Sequence, residues 1–349
     1  MALLEAEAAV TQILLIKLGA LGDVLRTTCL LSGLRKKWPG ARVVWVMSES
    51  ARPLLSRLTD GTDLCSIESL EALSTEWNVL INLDEDPRAT ALARRVAARQ
   101  KFGVGRDAEG RLIPLSADSE WLVRLARDDR LKFRENQMPF QAIVYGAVGL
   151  SWSGESYEYG PPPDLQDRQE RLFSMMGAQV SADAGRVGVF VGASDRYANK
   201  FWSEPEIADF CSAFRAWTSV SPIFLFGGPA EEVRIKNLKS RPGSKDIPSV
   251  CVHTLDDLAS LAAACRVLVC GDTLAMHLAL AQRVPVVALF GPTAHAEIPI
   301  APAEGRKAVT PYACGPCYLR KCEIAPSCMS AISPARVLRA VQELLVTPR

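Results

Sequence analysis

What this 349-residue chain lacks narrows its function before any motif is considered. It has no excess of one charge: 40 basic residues face 39 acidic ones, for a net charge of +1. Nucleic-acid binders carry a strong basic excess or a basic stripe, so no nucleic-acid partner is expected. The short run Arg35-Lys36-Lys37 reads as the solvated end of a helix. The opening Met-Ala-Leu-Leu-Glu-Ala-Glu has neither the basic start nor the apolar core of a signal peptide. No apolar run approaches the roughly 18 residues of a membrane span. A cytoplasmic protein is expected, with peripheral contact at the inner membrane left open. Short-period repeats and low-complexity tails are also missing. So is a GxGxxG spacing or a Gly-Lys-Ser/Thr after the first glycine loop, which argues against a dinucleotide fingerprint and a P-loop.

What is present is a regular alternation. With 48% hydrophobic residues, the chain is long enough for two ordinary domains, each with its own core. The first half opens with the apolar run Ile13-Leu14-Leu15-Ile16, then a glycine loop and a helical pattern from about Asp23 to Lys37. Val43–Val46 and Val79–Leu83 read as further strands, and Ala89–Arg99 as a helix. Ser151–Gln166 holds Gly154, Gly160 and Pro161-Pro162-Pro163, and reads as the linker region, because proline is poorly tolerated inside helices and strands. The second half repeats the pattern. Val187–Val191, Ile223–Phe226, Val267–Cys270 and Val284–Phe290 read as strands, and Glu204–Trp217 as a helix. Continuous apolar strands alternating with helices imply parallel sheets covered on both faces. The expected fold class is α/β, with two Rossmann-like, doubly wound domains facing a cleft. The expected boundaries are 1–165, 166–333 (including a cysteine cluster at 314–328) and a terminal helix in 334–349. Ligands of such sheets bind beyond the carboxyl ends of the strands.

Four segments carry candidate chemistry. In Cys270-Gly271-Asp272-Thr273-Leu274-Ala275-Met276-His277, a strand runs into a helix that Asp272 or Thr273 is placed to cap. Thr273 and His277 share one helical face. A helix start offers free N–H donors and a positive dipole end, which suits a diphosphate. The bland alternative is a capped helix with a buried histidine. In Ile16-Lys17-Leu18-Gly19-Ala20-Leu21-Gly22-Asp23, a glycine turn places an acid at a helix start, either as an N-cap or as a base. Val191-Gly192-Ala193-Ser194 with Asn199-Lys200-Phe201-Trp202 offers a hydroxyl and a cation. Phe226-Gly227-Gly228-Pro229-Ala230-Glu231-Glu232 offers acids after a glycine turn, for ribose or base, or simply for a helix's first turn.

Gly271-Asp272-Thr273, His277 and Pro285–Thr293 together resemble the donor-site signature of glycosyltransferase family 9, the ADP-heptose:lipopolysaccharide heptosyltransferases, with Leu274 standing where the family often has glycine. The β-strand and loop at Ile16–Leu25, the Gly192-Ala193-Ser194 segment and the lysine before Trp202 are similar to family segments too. The resemblance implies a GT-B fold and inverting transfer of heptose from ADP-heptose to a sugar acceptor, such as the lipopolysaccharide inner core, with no catalytic cofactor. It implies Asp23 as general base and Lys200 as the group that neutralises the departing diphosphate. Ser194, Glu231, Asp272, Thr273 and His277 would bind the donor, with Glu231 and Glu232 not separable. Lys17, Gly19 and Gly22 would form an acceptor or phosphate loop. Alternatives are heptose transfer to protein side chains, a GT-B nucleotide-sugar epimerase or hydrolase, and a catalytically silent sugar-nucleotide binder.

Of ten cysteines, six (Cys29, Cys65, Cys211, Cys251, Cys265, Cys270) lie among apolar neighbours and read as small buried hydrophobes. Cys314, Cys317, Cys322 and Cys328 have spacing for one tetrahedral metal, zinc by default or iron, in a structural role. Two disulfides or four free thiols are the alternatives. The stretch Ser333–Val346 reads as a terminal helix, which in folds of this kind often packs back across the domains.

Overall fold

The computed structural model describes residues 10–58, 61–70, 76–178, 185–193, 199–219, 222–320 and 322–346. The chain divides into two compact units. One comprises Met1–Lys132 and Met138–Tyr159, the other Phe133–Gln137 and Gly160–Arg349. Among the described residues, each unit is built on one six-stranded sheet.

The first sheet contains β1 (Gln12–Ile16), β2 (Arg42–Met47), β3 (Asp63–Ser66), β4 (Glu76–Asn82), β5 (Ala97–Arg106) and β6 (Leu112–Pro114). Their spatial order is β3-β2-β1-β4-β5-β6, all parallel except the β5–β6 pair. Ile13 through Ile16 are all fully buried, because both faces are covered. Successive side chains point to opposite faces. Ile13 and Leu15 therefore join Trp45, Val79 and Ile81 in one core, while Leu14 and Ile16 join Val46 and Leu80 in the other.

The second sheet contains β7 (Val187–Phe190), β8 (Ile223–Gly227), β9 (Ser249–Cys251), β10 (Val267–Gly271), β11 (Val286–Phe290) and β12 (Gly305–Val309). Its order, β12-β11-β10-β7-β8-β9, is parallel throughout. Read from its own first strand, it has the same order as the first sheet. In each, the chain winds outward in both directions from a central pair: β1 and β4 in one, β7 and β10 in the other. That pair is the switch point, where consecutive loops diverge and leave a crevice at the strand ends.

Two sequence expectations are corrected. The single helix expected from Asp23 to Lys37 is two, Leu21–Thr27 and Leu30–Lys37. At the break, the Thr27 and Thr28 hydroxyls donate to the carbonyls of Asp23 and Leu25 at 2.6 and 2.7 Å, and such back-bonding competes with the regular ladder. The helix expected over Ala89–Arg99 is Pro87–Arg95, and β5 begins at Ala97. Ala, Arg and Gln favour helix locally, but pairing with β4 takes them into the sheet.

The terminal helix Pro334–Val346 buries Val337, Val341 and Leu344 in the second unit's core with Phe210 and Phe214 of the helix Glu204–Trp217. Trp202, fully buried, donates its indole N–H to the Ile332 carbonyl at 2.8 Å. Among the described residues, no helix is long and apolar enough to cross a membrane.

Candidate active site

The expected site residues of the first unit lie where β1 ends. β1 stops at Ile16, the loop Lys17–Ala20 follows, and Gly22 and Asp23 sit in the first turn of the helix Leu21–Thr27. Asp23 does not cap that helix: Ala20 holds the cap position and no side chain closes it. The Asp23 carboxylate is partly exposed and forms an ion pair with Arg26 at 2.9 Å. Arg26 is itself fixed, its guanidinium lying 3.7 Å from the centre of the Phe140 ring. Asp23 is thus held in place while still reaching solvent.

Lys17 is placed differently from a phosphate-facing lysine. It is 7% exposed, and its ammonium lies 3.2 Å from Asp84 Oδ2. Gly19 donates its backbone N–H to the same oxygen at 3.4 Å. Asp84 follows β4, on the other side of the switch point, and sequence reasoning missed it. The available signal was a polar pair, Asn82 and Asp84, closing an otherwise buried strand.

In the second unit, the segments around Lys200 and Gly271–Thr273 come together. Lys200 Nζ lies 3.6 Å from Asp272 Oδ2 and 3.5 Å from the Asp272 carbonyl. A side chain at Gly271 would put a Cβ 2.3 Å from the Lys200 carbonyl oxygen, so only glycine permits this approach. The expectation that Asp272 or Thr273 caps the following helix, Leu274–Ala281, is corrected. Thr273 occupies the cap position, but its hydroxyl donates back to the Gly271 carbonyl at 3.4 Å and no side chain closes the helix start. Asp272 is drawn to Lys200 instead. No side chain caps this first turn, in which the Met276 N–H bonds back to the Thr273 carbonyl at 3.1 Å, and the helix start keeps its positive dipole end. His277, one turn on, is buried at 5% exposure.

Glu231 and Glu232 separate in space. Glu231 is buried at the end of β8, where its carboxylate accepts the Gly228 N–H at 2.9 Å, while Glu232 is exposed. The loop after β7 is held by Arg234, which donates to the Val191 carbonyl at 2.7 Å. Ser194 lies outside the described residues.

Cys314, Cys317, Cys322 and Cys328 all line one cavity of about 400 Å³, together with Asn199, Leu319 and Ile324. The four are free thiols. Burial, and then the charge on the other three, pushes the Cys328 thiol up to about 11. In kind and number the donors fit a soft tetrahedral ion. Their spacing does not, since among the described residues no group of three or more His, Cys, Asp or Glu side chains is drawn together as metal ligands.

This knuckle lies directly against the loop after β11. Cys317 and Tyr318 both donate backbone N–H groups to the Pro292 carbonyl, at 3.0 and 2.9 Å, and the Tyr318 hydroxyl accepts the Ala294 N–H at 3.1 Å. A Cβ on Gly291 would lie 2.8 Å from Cys328 Sγ. Phe133 stacks on Tyr318 with ring centres 3.8 Å apart, and Arg134 donates to the Cys314 carbonyl at 3.1 Å.

Comparison with known proteins matches glycosyltransferase family 9 (heptosyltransferase) to residues 70–327. Lipopolysaccharide heptosyltransferase 1 of Pseudomonas aeruginosa is 24% identical over 381 residues, covering 97% of this chain and 99% of the relative. A family 9 glycosyl transferase from Veillonella parvula superposes with a TM-score of 0.71 at 19% identity, covering 96% of this chain and 97% of the other. ADP-heptose lps heptosyltransferase II of E. coli superposes with a TM-score of 0.66 at 18% identity, covering 96% and 99%.

Proposed function

The chain belongs to glycosyltransferase family 9, the heptosyltransferase family, and on that premise we propose that it transfers heptose from ADP-heptose to a sugar acceptor of the lipopolysaccharide-core type. The acceptor hydroxyl loses its proton to Asp23 as its oxygen attacks the anomeric carbon. The bond from that carbon to the ADP oxygen breaks on the opposite face, so configuration inverts. Lys200 meets the charge that builds on the departing diphosphate, an effect that acts on the transition state. The uncapped start of the helix Leu274–Ala281, with Asp272, Thr273 and His277, receives the diphosphate. Ser194 joins it there, and Glu231 takes the nucleoside end. Lys17, Gly19 and Gly22 shape the acceptor side through the backbone of their loop. The first unit holds acceptor and base, and the second holds the donor.

One observation carries the reading. The described candidates come from separate stretches of sequence, yet they lie at the carboxyl ends of strands at or beside each sheet's switch point, where α/β sheets bind ligands. The names of the relatives support the donor and acceptor classes. The test is calorimetric titration with ADP-, UDP- and GDP-sugars, followed by a transfer assay with ADP-heptose. Binding of the ADP-sugar alone is expected, whereas binding of only UDP- or GDP-sugars would overturn the donor. Release of free sugar or an epimer without acceptor would replace transfer with hydrolysis or epimerisation.

For the four knuckle cysteines, which are not drawn together as ligands in this structure, we propose on the donor set alone a structural metal, zinc or iron, that takes no part in the transfer. Metal analysis of the purified protein is expected to give about one ion per chain, as four thiolate ligands hold one tetrahedral ion. A metal-free protein with full activity removes the assignment.

A further inference from the structure

We propose that Asp84 is a positioning residue for the transfer: its buried carboxylate anchors the loop between β1 and the helix Leu21–Thr27 and so sets where Asp23 stands. The proposal rests on the reading of Asp23 as the base.

β1 pairs with β4 as far as Ile16 and Asn82. One further backbone bond extends this ladder, from Leu83 to the Ile16 carbonyl, and another extends the pairing of β1 with β2, from Lys17 to the Val46 carbonyl, both at 3.0 Å. Beyond them the loop leaves the sheet, and its next two amides turn to a side chain. Asp84 Oδ2 accepts the N–H of Leu18 at 3.0 Å and that of Gly19 at 3.4 Å, as well as the Lys17 ammonium at 3.2 Å. Oδ1 accepts the Asp86 N–H at 3.0 Å. Each carboxylate oxygen is therefore engaged, and three of the four donors are backbone amides that fix position rather than merely balance charge.

The anchor is anchored in turn. Asn82 is fully buried; its side-chain oxygen accepts the Asp84 N–H at 3.1 Å, and its amide donates to the carbonyls of Asp84 and Val104 at 3.0 and 2.6 Å. Trp45 adds a bond from its indole to the Lys17 carbonyl at 3.2 Å. A carboxylate at 9% exposure is costly to bury unless it is paired and hydrogen-bonded. Here Lys17 supplies the charge and the loop supplies the bonds. An apolar pair would fill the space without giving the Leu18 and Gly19 amides an acceptor. From Gly19 the chain reaches Asp23 within four residues, and the Val24 N–H closes the first helical turn on the Ala20 carbonyl at 2.9 Å. Displacement of the loop at Leu18–Gly19 thus moves the Asp23 carboxylate with it, and misplacement by about 1 Å is enough to cost ~10²-fold in rate.

The test compares Asp84→Asn with the double variant Lys17→Met/Asp84→Asn. Asp84→Asn leaves a buried lysine without its counter-charge, so a lower melting temperature alone says little. The double variant removes that charge and is expected to recover the melting temperature. Under the proposal, kcat stays about 10²-fold down in both variants, while ADP-heptose affinity, measured by calorimetry, is unchanged. Amide hydrogen exchange at Leu18 and Gly19 is faster in both. Wild-type kcat in Asp84→Asn, or kcat returning with the melting temperature in the double variant, overturns the proposal. If the wild-type protein neither binds ADP-heptose nor transfers the sugar, the substrate reading fails instead. Exchange at Leu18 and Gly19 then decides the anchor by itself: unchanged exchange in Asp84→Asn overturns it.

Discussion

The two units share one strand order but treat charge at the switch point in opposite ways. In the first, the lysine after β1 turns inward, and Asp84 and Lys17 satisfy each other beneath the loop. What is left to face solvent is Asp23, partly exposed and steadied by Arg26. In the second, Lys200 and Asp272 meet at a looser 3.6 Å beside a helix start that no side chain caps. One arrangement fixes a single carboxylate. The other pairs its lysine with an aspartate at a helix start. On the proposed reading, the same scaffold would serve proton transfer in one half and stabilisation of charge in the other, and the difference lies in a few loop residues rather than in the sheets.

Substitutions can break that comparison. The largest effect is expected from Asp23→Asn, which removes the proposed base. The kcat is expected to fall by about 10²- to 10⁴-fold with donor affinity unchanged, and weaker ADP-heptose binding in calorimetry would contradict the division of labour. Lys200→Met is expected to lower kcat by about 10²- to 10³-fold and to weaken donor binding as well. Steady-state kinetics that show only a KM change would mean that Lys200 contributes uniform binding rather than transition-state stabilisation.

A smaller, symmetric effect tests the claim that the sheets themselves are equivalent. Leu15→Ala in β1 and Leu289→Ala in β11 both empty fully or almost fully buried sites. Each is expected to cost about 2–5 kcal/mol in urea unfolding, and a change well below that in either would show a core able to collapse around the gap.

The smallest effect concerns buried thiols. Burial raises the Cys29 thiol in the first unit far above its ordinary value, and raises Cys211 in the second to about 12. Below an unfolded-state value of about 8.5, both states are protonated and these thiols add no pH dependence. Above it the unfolded thiol ionises and the buried one does not, so stability falls as pH rises, by about 1.4 kcal/mol per pH unit per thiol until the folded value is reached. The fall in melting temperature between pH 8 and pH 10 is expected to be shallower in Cys29→Ala and Cys211→Ala. An unaltered slope would show that other groups govern alkaline unfolding.

Much of the fold was legible because it is written in contiguous patterns. Ile13–Ile16, Ile223–Phe226 and Val267–Cys270 are apolar runs of strand length, and the structure extends each by a single residue. The helix Glu204–Trp217 matches its expected ends, with acids in its first turn. β5 escaped because its first half is exposed and rich in Arg, Ala and Gln, and only its neighbour β4 makes it a strand. Within the candidate site, motifs that combine a strand, a glycine and an acid were visible at Asp23 and Asp272. Asp84 was not, because its meaning depends on β1 and β4 being adjacent, and the bonds it accepts from the Leu18 and Gly19 amides span 66 and 65 residues. The Asp272–Thr273 cap was expected from residue type, and the structure answers that Asp272 has Lys200 as a partner.

The short segment Phe133–Gln137 has a bearing on biosynthesis. It precedes the last part of the first unit, Met138–Tyr159, yet packs with the second, where Phe133 lies on Tyr318. A ribosome adds roughly 5–20 residues per second, and domains tend to fold as they emerge. The first sheet can close while Phe133 still waits, on the order of ten seconds or more at that rate, for the tyrosine it will stack on. Until then that stacking contact is missing, and completion of the second half of the chain is what supplies it.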